Sequence, residues 1–88
     1  MPLYKIRRGV PGALREDVDA SAFRAVACAI EFDGLHWVRS FWDEAAGELT
    51  CFYEAASPAQ VQAHAERSRI PCDSVTEVTE ITPDEYLA

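Results

Sequence analysis

The sequence predicts an α+β fold of the ferredoxin-like kind, with strands and helices in the order βαββαβ. Two observations indicate it. Segments of strand-like alternation flank two segments of helical periodicity, and Gly or Pro residues separate the segments. We expect one four-stranded antiparallel sheet with strand order 4-1-3-2 and two helices on one face, the dimeric α+β barrel type. The 88 residues suit one unit, so residues 1–88 are expected to form a single domain.

The first strand is predicted over residues 3–8, where Tyr4 and Ile6 alternate with Lys5 and Arg7. The first and last strands are neighbours in this topology, and the end of the chain is acidic. We therefore expect the two basic side chains to pair with carboxylates of the last strand.

The first helix is predicted from Val18 to Asp33, after a loop rich in Gly and Pro. Asp17 or Asp19 can cap its start, and Gly34 can end it. Four residues at helical spacing form its apolar stripe: Phe23, Val26, Ala27 and Ile30.

The second and third strands are predicted over residues 35–41 and 49–54, joined by a turn over 43–47. A register that pairs Phe41 with Leu49 sets Trp37 across from Tyr53. Both strands carry bulky side chains on both faces, and the helices cover only one. The other face would be an apolar patch, which predicts a homodimer formed sheet to sheet.

The second helix has the clearest start signal in the chain. Ser57 is an N-cap, Pro58 suits the first helical position, and Gln60 can return a hydrogen bond to the cap. Its buried stripe is predicted as Val61, Ala65 and Ser68, and the fourth strand is expected over residues 74–81.

Charge and composition exclude several classes of protein. A formal net charge of −7 opposes contact with phosphate backbones, so nucleic acid is not an expected partner. No apolar stretch reaches the roughly 20 residues of a membrane span, and we expect a cytoplasmic protein with no membrane partner. Cys28, Cys51 and Cys72 lack the spacing of zinc or redox motifs and are expected to be reduced thiols.

The residues capable of metal binding or acid–base chemistry near the sheet are His36, His64, Cys51, Tyr53 and Glu54. Their spacing matches no known ligand motif. His64 also fits a hydrogen-bonded boundary residue on the flank of the second helix, and His36 fits an exposed position at the start of a strand. The pair Trp37 and Tyr53 fits either a dimer core or the lining of a pocket. Motifs for phosphate binding, for a serine nucleophile and for a zinc protease are absent from the sequence.

The chain resembles a family of small bacterial ferredoxin-like proteins, mostly of unknown function, that includes a nickel-binding member. The resemblance runs nearly end to end. The segments that carry it are 1–4, Pro11 with Gly12, 37–41, 51–55, His64 with Ala65, Pro71 and 75–78. The resemblance implies a homodimer with metal at its surface, and it makes His64, Cys51, Tyr53 and Glu54 the matching positions of chemical interest.

Three functions remain open at this point. The first is a non-enzymatic homodimer that sequesters or stores Ni²⁺ or another divalent transition metal, with His36, His64, Cys51 and Glu54 as candidate ligands. The second is a small enzyme, an isomerase or a cofactor-free oxygenase, that uses the cleft between sheet and helices; this rests on fold analogy. The third is a protein-interaction module that uses the open sheet face. No organic cofactor is expected.

Overall fold

Two helices lie on one face of a four-stranded antiparallel sheet in the computed structural model, which describes residues 1–87. The elements in chain order are β1 (Leu3–Gly9), α1 (Arg15–Ala29), β2 (His36–Asp43), β3 (Glu48–Glu54), α2 (Pro58–Ser68) and β4 (Ser74–Val78), followed by a short 3₁₀ helix, Pro83–Tyr86. The strand order β2-β3-β1-β4 is the predicted order 4-1-3-2 read from the opposite edge. The predicted ferredoxin-like fold is confirmed.

The core forms where β1 and β3 turn alternate side chains toward the helices. Tyr4 lies opposite Tyr53, and Ile6 lies opposite Cys51. All four are buried and belong to one apolar cluster with Val61 of α2. Because strand side chains alternate, the residues between them point to the other side of the sheet.

The predicted charge pairing between β1 and β4 is wrong. Lys5 lies opposite Thr76, and Arg7 lies opposite Ser74. The strand ends at Val78, before most of the acidic tail. Arg7 instead forms an ion pair with Glu48 of β3, with 2.9 Å between Nε and Oε1.

The hairpin of β2 and β3 contains a β-bulge that the sequence analysis did not predict. Trp37 lies across from Tyr53 as expected, but Phe41 lies opposite Thr50 and not Leu49. The register shifts between Trp37 and Arg39. An extra residue in one strand of a pair displaces every later partner by one position.

Helix α1 begins and ends earlier than predicted. It starts at Arg15 because the Asp17 carboxylate accepts a hydrogen bond from the Leu14 N–H at 2.8 Å, from inside the first turn. The helix ends at Ala29. The predicted stripe faces away from the sheet: Phe23 is 76% exposed and Ile30 is 89% exposed.

Small side chains of α1 face the sheet instead. Ala25 is 4% exposed, and Val18, Ser21, Ala22 and Cys28 are half-buried. These residues also recur at helical spacing, so the helix has two faces without charges, and the face with less bulk is the one that packs.

Helix α2 begins as predicted, with Ser57 Oγ accepting from the Gln60 N–H at 3.2 Å. The Gln60 side chain accepts a hydrogen bond from the Ala56 N–H, one residue before the cap and not at Ser57 itself. The predicted stripe of Val61, Ala65 and Ser68 is buried. Within residues 1–87, no helix combines the length and apolar character needed to cross a membrane.

Candidate functional site

The four candidate metal ligands lie on opposite faces of the sheet. His36 and Glu54 are register partners at the end of the hairpin, on the side away from the helices. Cys51 and His64 are buried between the sheet and the helices. A single ion within one chain therefore contacts at most one of these two pairs. In the described part of the chain, no three or more His, Cys, Asp or Glu side chains are grouped to hold a metal ion.

His64 is a buried link between the two helices. Its Nε2 lies 2.9 Å from the Ala25 carbonyl oxygen of α1. Since a carbonyl oxygen can only accept, Nε2 carries the hydrogen. The ring packs edge-on against Phe32, with centroids 5.5 Å apart, and contacts Tyr53. Burial lowers the pKa of His64, the bond to Ala25 opposes this shift, and the Arg8 cation adds to it.

Arg8 is a functional candidate that the sequence analysis missed. It follows Tyr4 and Ile6 in the alternation of β1, so it lies on the helix-covered face and is 1% exposed. Its Nε donates to Cys51 Sγ at 3.3 Å, and its Nη1 donates to the Pro71 carbonyl oxygen at 2.6 Å. Alternation alone assigns Arg8 to the apolar face, and this signal was available in the sequence.

A cavity of about 60 Å³ lies beside Arg8, between the sheet and α1. Trp37 and Tyr53 both line it, with ring centroids 6.3 Å apart in a stacked arrangement. Trp37 Nε1 donates to Ser40 Oγ at 2.8 Å. Of the two interpretations of this aromatic pair, the geometry favours pocket lining. Burial raises the pKa of Tyr53 to about 12, against the opposing effect of Arg8.

The open face, defined as the side of the sheet away from the helices, carries a shallow groove of about 230 Å³. Its apolar lining consists of Leu3, Val38, Phe41, Phe52 and Val78. The rings of Phe41 and Phe52 pack edge to face with centroids 6.2 Å apart, and Phe41 is 62% exposed. His36 and Glu54 lie at one end of this face.

The three cysteines lie apart from the open face and form no disulfide among residues 1–87. Cys51 is buried, and Cys28 and Cys72 are half-buried. Burial raises the pKa of the Cys72 thiol, and Arg8 opposes this shift.

Comparison with known proteins gives a family and similar solved structures. One of these structures is described as a crystal structure analysis of SCO4226 from Streptomyces coelicolor A3(2). It superposes with a TM-score of 0.81 at 22% sequence identity, over 91% of this chain and 99% of that one. At this identity the likeness shows the fold alone. No curated protein sequence matches this chain.

The family model described as "Nickel responsive protein SCO4226-like" matches residues 4–78. This range includes both helices, all four strands except the first residue of β1, and every candidate ligand discussed above. Because the match covers most of the chain, this protein belongs to the SCO4226-like family of nickel responsive proteins.

Proposed function

We propose that this protein binds Ni²⁺, or a similar divalent transition metal, as a homodimer whose open faces meet. The observation that carries the proposal is the pairing of His36 with Glu54 at one end of the face that carries the apolar groove. The family description names nickel responsiveness, and imidazole and carboxylate groups are both ligands for borderline divalent ions. Sequestration or storage of the metal in the cytoplasm is the role we propose.

One chain offers too few metal-binding groups on the open face, so a second chain is needed to complete the site. Directly opposed residues in an antiparallel pair have Cβ atoms about 4.5–5.5 Å apart, which is close enough for His36 and Glu54 to share one ion. One imidazole and one carboxylate leave most positions around a metal unfilled. A two-fold axis that passes close to His36 and Glu54 would double the set around one ion, because the same patch serves both subunits.

The buried pair is a weaker ligand set. His64 uses its Nε2 hydrogen to bond Ala25, which leaves Nδ1 as the ring nitrogen with a lone pair for a metal. Cys51 accepts a hydrogen bond from Arg8, and a cation beside the sulfur repels a second cation. Both side chains therefore fit structural roles, and His64 is the alternative ligand.

Isothermal titration calorimetry with NiCl₂ on metal-free protein tests the assignment. His36→Ala and Glu54→Gln are each expected to weaken nickel binding by at least about tenfold, since even groups outside the ligand shell cost about 10–100-fold. Glu44→Gln makes the same chemical change in the exposed turn and is the matched control. Unchanged affinity in His36→Ala, or a loss confined to His64→Gln, would contradict the open-face site.

A further inference from the structure

The side chain of Arg8 carries a buried positive charge that no carboxylate of residues 1–87 neutralises. The ion pairs of this part of the chain involve Arg7, Arg15 and Arg67, all exposed. Arg8 is the largest fully buried side chain, and its hydrogen-bond acceptors are a sulfur and a backbone carbonyl. A buried cation is costly unless an anion accompanies it.

The cavity beside Arg8 has the size and lining for a small molecule. One water needs roughly 10–15 Å³ of such space, so a cavity of about 60 Å³ accepts a handful of non-hydrogen atoms. The rest of the lining is mainly apolar, and Ser21 and Ser40 are its hydroxyl-bearing serines. Its aliphatic members are Val18, Ala22, Ala25, Leu49 and Ile70. The site thus offers one cationic group at one end and hydrocarbon at the other.

Small molecules have a route to this cavity. A second pocket of about 150 Å³ shares Val18, Ser21, Leu49 and Ile70 with it and continues past Arg24. Val18, Ser21 and Ile70 are half-buried, so the boundary between the two pockets reaches the surface. The second pocket therefore marks the side from which a small molecule approaches the cavity.

We propose that this cavity binds a short-chain monocarboxylate of about two to four carbon atoms, with its carboxylate on Arg8 and its hydrocarbon tail against α1. The planar guanidinium matches a carboxylate in shape. Inorganic phosphate is a poorer fit, because a mainly apolar lining replaces little of its hydration. The proposal is independent of nickel binding, since Arg8 and the open face lie on opposite sides of the sheet.

Titration of the full chain with sodium propionate, followed by ¹⁵N–¹H NMR at constant ionic strength, tests the ligand class. The Arg8 Nε–H signal is expected to shift in a saturable way. Propionamide has the same shape without the charge and is expected to leave the signal in place. Absence of a saturable shift, an equal response to propionamide, or an equal response to sodium phosphate would overturn the proposal.

Two neighbouring arginines supply a matched pair of variants for calorimetric titration with propionate. Arg8→Met is expected to weaken binding by at least about tenfold, because a charge-assisted bidentate contact is lost. Arg7→Met removes the same charge from the opposite, exposed side of β1 and is expected to change the affinity by less than about twofold. Equal affinities in the two variants would refute the assignment of Arg8.

A cavity-filling variant tests the same binding site without changing Arg8, in case Arg8→Met does not fold. Ala22→Leu leaves Arg8 in place and fills the space beside it with hydrocarbon. Propionate binding is expected to fall by at least about tenfold, as for any ligand excluded from an occupied cavity. Wild-type affinity in folded Ala22→Leu would show that propionate binds elsewhere.

Discussion

The buried His64 side chain links the two helices, and its protonation state makes this link dependent on pH. The Nε2 hydrogen bond to Ala25 joins α2 to α1, and the Ser68 hydroxyl donates to the His64 carbonyl oxygen one turn along the same helix. The ring is enclosed by Phe32 and Tyr53, and the Arg8 cation lies nearby. A second positive charge in this space is unfavourable, so the neutral ring is the native form.

Stability is therefore expected to fall as the pH is lowered from 7 to 5 in metal-free protein. The pKa of His64 is lower in the folded state than the ordinary 6.5, mainly through burial. Below about pH 6.5 the unfolded chain binds a proton that the folded chain resists, which favours unfolding. Urea denaturation at several pH values measures the slope.

The matched variant for this prediction is His64→Gln, whose amide N–H can still reach the Ala25 carbonyl. It is expected to show a flatter dependence of the unfolding free energy between pH 5 and 7. Glu48, whose pKa is lowered by its hydrogen bond from Arg7, contributes only at lower pH. A His64→Gln curve parallel to that of the wild type would contradict the assigned role of His64.

Among the helices and strands, α1 shows that periodicity can predict a helix without predicting which of its faces packs on the sheet. Periodicity places both a bulky apolar stripe and a small-residue stripe on this helix. The space above the sheet is already occupied by the Arg8 side chain, the His64 ring and Trp37. Small residues let the helix lie close to these groups, and this constraint comes from other elements and is not visible within α1.

A pair of identical substitutions tests which face of α1 is packed. Val18 is half-buried against the cavity, whereas Val26 is 61% exposed on the outer stripe. Val18→Ala is expected to be less stable than Val26→Ala by about 1 kcal/mol, since about 0.8 kcal/mol accompanies each buried methylene. The gain in helix propensity from Ala is common to both variants and cancels. Denaturant titration measures the difference, and equal stabilities would contradict the packing of α1.

The β2–β3 hairpin was also predicted correctly in part: its strands were predicted, and its β-bulge was not. Aromatic and β-branched residues predicted both strands and the contact of Trp37 with Tyr53. The bulge before Arg39 then moved Phe41 from Leu49 to Thr50. A bulge depends on the curvature the whole sheet adopts, so strand patterns alone did not predict it. The candidate site was also predicted only in part. Residue types indicated the candidate ligands, but the strand pairing was needed to show that His36 and Glu54 lie on the face opposite to Cys51 and His64.

At the scale of the whole molecule, the two faces of the sheet have different chemistry. The helix-covered face holds the cation of Arg8, the His64 ring and the cavity. The open face holds the groove lined by Phe41 and Phe52, with the His36–Glu54 pair at its end. A small chain buries only about 60–65% of the surface exposed by its unfolded form, so association through an apolar face adds burial that one chain lacks.

Light scattering coupled to size-exclusion chromatography tests whether two open faces meet. The wild type is expected to elute with twice the mass of one chain. Phe41→Asp is expected to elute as a monomer, because it replaces an apolar contact of the interface by a carboxylate that must be desolvated. Phe23→Asp makes the same substitution on the outer stripe of α1, where the side chain is 76% exposed, and is expected to remain dimeric. A monomeric wild type would leave the open face available to a different protein and would remove the second donor set from the nickel site. A monomer formed only by Phe23→Asp would place the interface on α1, and nickel would then have to be held by the His36–Glu54 pair of one chain.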